Sequence, residues 1–374
     1  MTVKVLVYGA GKIGRGFIGA KFAEAGHRVT FIDIDAALLA ALSQAGGYTV
    51  RRVNAQGGMA QCDVTGVAVV NGRDEATVAQ AIASCDLMAT SLGARALELA
   101  APCMAKGLAA RTAPLNILIC ENLKDAPRKL ADWLAAALGD RAGDVLARTG
   151  LVKTAIGTMV PDHTGERPED VLVEDYAFLP ADADALVAPL PQAQGLEAVS
   201  PIAYYEERKL YLHNMAHAVC AYLGQRAGID ALADAVRQPD IRRIVEGAMD
   251  ECATMLACKY HLPKEEPLSH ARELLARFEN HALGDTCQRV ARDPQRKLAS
   301  DDRLIGAASA CLAHGVFPAN LCIGTAAALL CVAEDAAQAQ AALAEHCGLR
   351  EGPLCEAILT DYHALAAGEP LSMR

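Results

Sequence analysis

Val3-Lys4-Val5-Leu6-Val7-Tyr8, followed by Gly9-Ala10-Gly11-Lys12-Ile13-Gly14, is the stretch whose reading decides the fold. The first half is a short apolar, β-rich run, and a glycine cluster closes it. Phe17–Ala25 then has helical composition, and His27–Asp33 is a second β-rich run. Strand, glycine turn, helix and strand within so short a span make a βαβ unit. In that context the glycines fit G-x-G-x-x-G, the dinucleotide fingerprint. Gly9 permits the tight turn, Gly11 lets the backbone approach a pyrophosphate, and Gly14 lets the helix pack against the strand. The N-terminus of that helix offers free N–H groups and a positive dipole end to the phosphates, and Ala10, Lys12 and Ile13 are expected in the same cofactor loop. Asp33 ends the second strand nineteen residues after Gly14. Its carboxylate can accept from both ribose hydroxyls and repels the extra phosphate of NADP, so the expected cofactor is NAD. Asp35 takes that place if the strand ends later. Thr90-Ser91-Leu92-Gly93 follows a further strand, so Ser91 and Gly93 are expected at the carboxyl edge where dinucleotides bind. On spacing alone that loop is equally an ordinary turn.

Outward from this unit, Ala36–Ala45 reads as helix and Tyr48–Val70 as an irregular hairpin insertion. Asp86–Ser91 and Leu115–Cys120 read as buried strands. Strands alternating with helices imply a mainly parallel sheet covered on both faces. Leu186–Ser200, with Pro189, Pro191 and Gly195, reads as a connecting loop. Beyond it the chain is rich in Ala, Leu, Glu and Arg, with helical spacing as in Ile241, Ile244, Val245 and Met249. The expected fold class is an α/β Rossmann-type N-terminal domain at 1–192 with a mainly α-helical C-terminal domain at 193–374.

Composition narrows the function classes. The 374 residues are 52% hydrophobic and 21% charged, which suits folded domains rather than disorder. A net charge of -10 gives no support for nucleic-acid binding. Thirteen cysteines are scattered without a Cys-x-x-Cys pair or a signal-peptide pattern before them. They read as free thiols in a cytoplasmic protein. No zinc-spaced ligand set is visible, so no metal is expected. No apolar run reaches about 18 residues, so no membrane partner is expected. The partner is then a small molecule, with monomer and small homo-oligomer both open.

Glu206-Glu207-Arg208-Lys209-Leu210-Tyr211-Leu212-His213-Asn214-Met215-Ala216-His217 carries the densest chemistry. At about 100° per helical residue, Asn214 falls near 140° from Lys209, His217 near 80° and His213 near 40°. All four share one broad face. A lysine, an amide and an imidazole together can deprotonate an alcohol and polarise its oxygen without a metal. By spacing alone the same run is a solvated helix with a histidine at the core edge.

Further motifs run in order: Gly9-Ala10-Gly11-x-Ile13-Gly14-Arg15-Gly16-Phe17-Ile18-Gly19, Cys120-Glu121-Asn122, Glu207-Arg208-Lys209-Leu210 with Asn214 and His217, Ala221-Tyr222-Leu223-Gly224, and Arg277-Phe278-Glu279-Asn280. Arg292-x-Pro294-x-Arg296-Lys297-Leu298 and Asp302-Arg303-Leu304 follow. Over nearly the whole chain this series resembles the polyol-specific long-chain dehydrogenases of the mannitol dehydrogenase type, in their mannitol-1-phosphate 5-dehydrogenase branch. The resemblance implies Lys209 as general base, Asn122 and Asn214 as amides holding the substrate oxygen, and His217 as an orienting group. It implies interconversion of a sugar-alcohol phosphate and a ketose phosphate. Ile156-Gly157-Thr158-Met159-Val160-Pro161 departs from the family's usual Val-Asp-Arg-Ile-Val-Pro, which bears on substrate choice. His213 replaces a residue often apolar in the family and is a candidate substrate contact. In the basic run Arg289, Arg292, Arg296, Lys297 and Arg303, Arg296 and Lys297 are the phosphate candidates. The run is equally an exposed face balanced by Asp293, Asp301 and Asp302. Two other functions fit these residues: a dehydrogenase of an unphosphorylated polyol or sugar acid, and an NAD-binding sensor without turnover.

Overall fold

Residues alternate along β1 (Lys4–Tyr8), with Val5 and Val7 in one apolar cluster and Leu6 and Tyr8 in another. Successive side chains of a strand point to opposite faces, so the two clusters are the two covered faces of one sheet. The computed structural model describes residues 2–161 and 167–371 of the chain. These divide into two compact units, residues 1–54 with 58–205, and residues 206–374 with 55–57.

The main sheet of the first unit adds β2 (Arg28–Asp33), β5 (Ala68–Asn71), β6 (Leu87–Thr90), β7 (Leu115–Ile119) and β8 (Thr149–Lys153). Between them in sequence lie β3 (Gly47–Val53) and β4 (Met59–Thr65). Its order is β5-β2-β1-β6-β7-β8, and every pairing is parallel. Numbered by their sequence order within this sheet alone, the strands run 3-2-1-4-5-6, the doubly wound Rossmann order. The order reverses beside β1, and the glycine cluster leaves from the end of β1. Helices α1 (Ala20–Glu24), α2 (Ala36–Ala45), α3 (Glu75–Ser84), α4 (Ala94–Ala109), α5 (Ala126–Leu138) and α6 (Ala142–Leu146) connect these strands.

Three stretches differ from the sequence expectation. The Tyr48–Val70 insertion is a regular antiparallel hairpin of β3 and β4, and β3 also pairs in parallel with β9 (Val171–Glu174). Its last part is β5, which joins the main sheet through Thr30↔Ala68 to Asp33↔Asn71. As an edge strand, β5 is not fully buried at any of its four residues, so its pattern was weak. The Leu186–Ser200 stretch holds β11 (Leu196–Val199), paired in parallel with β10 (Leu179–Asp182). The helix after the glycines starts as a π-helical turn, Gly14–Gly19, in which Ala20 N–H donates to Arg15 O, five residues back.

The second unit is helical. α7 (Ile202–Arg208), whose first four residues belong to the first unit, leads into a second π turn, Lys209–Asn214, and then α8 (Met215–Arg226). α9 (Leu232–Ala235), α10 (Pro239–Tyr260), α11 (Glu265–Phe278), α12 (Cys287–Val290), α13 (Pro294–Lys297), α14 (Ile305–Ala313), α15 (Ala319–Leu329), α16 (Ala336–Glu345) and α17 (Pro353–Ala366) follow. α8 is buried along most of its length and packs against α10, α12 and α15. A helix apolar all round belongs inside a bundle. The buried Glu251 carboxylate accepts from Asn320 N and Leu321 N at 2.8 and 3.1 Å, satisfying free donors at the start of α15. The cysteines are free thiols. No helix among the described residues is long and apolar enough to cross a membrane.

Candidate active site

Gly9 has φ +106°, and a Cβ there would overlap the carbonyl oxygen of Ser91. A Cβ on Gly14 would overlap the carbonyl of Gly9. Only glycine fits both positions, because backbone atoms cannot swing aside. A Cβ on Gly11 would meet no heavy atom within 4 Å, so backbone there is open to a ligand. Arg15 is buried and ties the loop down: it donates to Ala10 O and, at 3.0 Å, to Glu169 O. Burial lowers the Arg15 pKa, opposed by Tyr48, Asp33 and the acidic residues nearby. Lys12 Nζ donates to Pro161 O at 3.2 Å, and half-buried Ile13 packs on the core.

Asp33 stands at the end of β2 with its carboxylate turned to the loop. Oδ2 accepts from Ala10 N at 2.7 Å, and Oδ1 accepts from Ile34 N at 2.7 Å and Asp35 N at 3.0 Å. Asp35 instead caps α2, accepting from Ala37 N and Leu38 N at 3.0 and 3.1 Å. Ser91 N donates to Tyr8 O at 2.8 Å, which sets the 91–93 loop beside the glycines. Buried Glu121 grips the next two residues, its two oxygens accepting from Leu92 N and Gly93 N, each at 2.8 Å. Asn122 is exposed on the loop that follows β7. Lys153 Nζ braces that loop at Leu123 O, 2.9 Å away.

In the second unit, Lys209 and Asn214 begin and end the π turn, with Met215 N–H donating to Leu210 O, five residues back. A π turn holds more residues than an α turn, so the angles expected from an ideal helix do not apply across it. Such turns gather at functional sites. His213 is buried and its pKa is lowered well below the ordinary histidine value. Burial is the largest cause, followed by Arg277, His217, Lys209 and His270. His213 is thus a neutral imidazole within electrostatic reach of both Lys209 and His217. The His217 ring stacks on Phe278, with centroids 5.1 Å apart and planes 15° apart. His217 Nε2 lies 3.0 Å from Asp285 Oδ2, and Arg289 pairs with the other oxygen.

Two family models cover these units. The Rossmann domain of mannitol dehydrogenase matches residues 3–195, and the mannitol dehydrogenase C-terminal domain matches residues 201–356. The chain belongs to the mannitol dehydrogenase family. Membership makes it a polyol dehydrogenase, acting on a CH–OH group with NAD as its cofactor. Two solved structures share its fold. A D-sorbitol dehydrogenase in substrate-free form has TM-score 0.81 at 11% identity, over 99% of this chain and 95% of that one. A mannitol 2-dehydrogenase of Pseudomonas fluorescens, in ternary complex with NAD and D-mannitol, has TM-score 0.78 at 15% identity, over 100% and 93%.

The residues present fit a dinucleotide of this family. Open backbone at Gly11 and a carboxylate at the end of β2 leave room for a pyrophosphate and a ribose beside this loop. Ile34, 60% exposed beside Asp33, adds an apolar surface suited to a base. In the sequence only its place directly after Asp33 marks Ile34, and nothing marks Glu121, because a two-amide grip leaves no spacing signature. Arg296 and Lys297 diverge in the mannitol dehydrogenase C-terminal region. Arg296 is half exposed and lies 3.2 Å from Asp302. Lys297 is buried and donates to Arg292 O, and its pKa falls to about 8 through burial and then Arg303 and Arg296. Among the described residues no group of three or more His, Cys, Asp or Glu could hold a metal ion.

Asp33 leads to one expected outcome. Like charges brought together cost several kcal/mol, equivalent to about a hundredfold or more in efficiency. Catalytic efficiency with NAD should exceed that with NADP by at least that factor, measured under saturating polyol. Equal efficiencies would refute the assignment of Asp33.

Proposed function

We propose that the chain interconverts a sugar-alcohol phosphate and a ketose phosphate, best mannitol 1-phosphate and fructose 6-phosphate, with Lys209 as general base. The observation that carries it is the run Lys209–His217, where a lysine, an amide and two imidazoles sit on one π-to-α helical stretch. Lys209 Nζ takes the hydroxyl proton. The side-chain amide of Asn214 donates to the oxygen as negative charge develops on it. His217 orients the neighbouring hydroxyls, and neutral His213 offers a further polar contact. Bound NAD would supply the hydride acceptor for the carbinol carbon. Gly9, Ala10, Gly11, Lys12, Ile13, Gly14, Asp33, Ser91 and Gly93 form its proposed cradle. No metal is required in this scheme.

A second reading has its own support. Lys297 is turned inward to a backbone carbonyl and Arg296 already faces a carboxylate, which favours an unphosphorylated polyol. The Gly157–Thr158 replacement points the same way. Thr158 Oγ1 donates to Tyr176 O at 2.9 Å, and a Cβ on Gly157 would lie 3.3 Å from the Tyr176 ring. Small residues thus hold this loop against Tyr176.

A spectrophotometric panel of mannitol 1-phosphate, mannitol, sorbitol and sugar acids separates the readings. Turnover of mannitol 1-phosphate well above the rest is the expected result. Turnover of another substrate alone overturns the phosphate reading, and NAD binding without any turnover overturns the enzyme reading. Replacing both Arg296 and Lys297 by Ala should raise KM for the phosphorylated substrate by at least about tenfold with kcat little changed. A contact present in ground and transition states alike changes binding, not the chemical step. An unchanged KM would return both residues to a structural role.

A further inference from the structure

We propose that Asp285 is a positioning residue that fixes the tautomer and ring plane of His217. The inference rests on the reading that His217 orients substrate. An ionised carboxylate only accepts hydrogen bonds. The 3.0 Å bond between His217 Nε2 and Asp285 Oδ2 therefore places a proton on Nε2. In the neutral ring Nδ1 is then the acceptor, the form suited to receive a hydrogen bond from a polyol hydroxyl. Two further contacts hold the arrangement. The Asp285 side chain is 9% exposed, and its second oxygen is taken by Arg289. The His217 ring lies nearly parallel to Phe278, which opposes rotation about its side-chain bonds.

The chain brings these groups together across a long sequence gap. His217 lies in the first turn of α8, Phe278 ends α11, and Asp285 precedes α12, whose first turn Thr286 caps through Arg289 N at 3.2 Å. Leu232 N donates to Asp285 O at 3.0 Å, which fixes the Asp285 backbone to the start of α9. The carboxylate is thus fixed through its backbone and through Arg289, and the ring through Phe278. Misplacing a substrate-orienting group by about 1 Å can cost about a hundredfold in rate.

Asp285→Asn keeps the shape but lets an amide donate to Nε2, reversing the tautomer. The test uses full-length enzyme with 15N-labelled histidine, the His217 resonances being assigned by their loss in His217→Gln. In Asp285→Asn the His217 nitrogen shifts should report protonation at Nδ1, kcat should fall about tenfold to a hundredfold, and the NAD dissociation constant should stay within about twofold. In a His217→Gln background the same substitution should cost little, because residues acting through one another are not additive. That background also guards against a folding artefact, since a merely structural loss would recur there. Unmoved nitrogen shifts, or an undiminished cost in the His217→Gln background, would overturn the proposal. Full activity of His217→Gln alone would overturn the role of His217 under the proposed function.

Discussion

Lys209→Ala is expected to slow hydride transfer by about a hundredfold to ten-thousandfold, the usual worth of a general base. The alcohol proton would have no positioned acceptor in that variant. NAD binding should change little, because the proposed cradle is built from residues 9–14, 33, 91 and 93 of the first unit. Single-turnover rates would be measured across pH, with NAD affinity measured separately. A lysine is a base only when neutral, so alcohol oxidation by the parent enzyme should rise with pH. Carbonyl reduction needs the proton on the amine and should fall over the same range. The variant should lose both dependences. Near-parental rate with the same profile would exclude Lys209 as the base and direct attention to His217 and His213.

Gly9→Ala is expected to weaken NAD binding by about a hundredfold or more. A non-glycine residue at φ +106° carries about 1–3 kcal/mol of strain. To this is added overlap with the Ser91 carbonyl. The Ser91 segment cannot retreat at low cost, because Ser91 N is bonded to Tyr8 O and Glu121 holds the two amides that follow. Each hydrogen bond to the charged carboxylate is worth about 1.5–3 kcal/mol. Gly11→Ala is the matched comparison. Its methyl meets nothing in the protein, so thermal stability should be kept while NAD affinity falls. Calorimetric titration and thermal melting read the two effects apart. Parental NAD affinity in both variants would show that the glycine loop does not receive the pyrophosphate.

Local pattern sufficed where a signal is carried by neighbours in sequence. The strand–glycine–helix–strand unit needed only its own residues, since φ > 0, close helix approach and β-rich runs are local demands. The Lys209–His217 run was visible for the same reason. Its geometry was not, because nothing in the composition marks a π turn. Asp33 and Asp35 were both possible until the end of β2 was known; the fold makes one a support of the glycine loop and the other a helix cap. Arg296 and Lys297 looked alike in sequence and differ in burial, because adjacent helical residues point about 100° apart.

The sequence by itself determined an α/β Rossmann-type unit and a helical second unit, and it displayed the glycine loop with Asp33 and the Lys209–His217 run as candidates. These follow from periodicity and from residue types confined to short spans. Only the tertiary structure decided that β5 closes one edge of the sheet, that Glu121 grips the 91–93 loop, that Lys297 turns inward, and that Asp285 and Phe278 hold His217. Apart from Lys297, which reaches Arg292 five residues back, each joins residues far apart in the chain, and no local energy in the sequence specifies such a meeting. It arises when packing buries two faces of a sheet or one helix among others, and buried polar groups must then find partners wherever the fold has placed them.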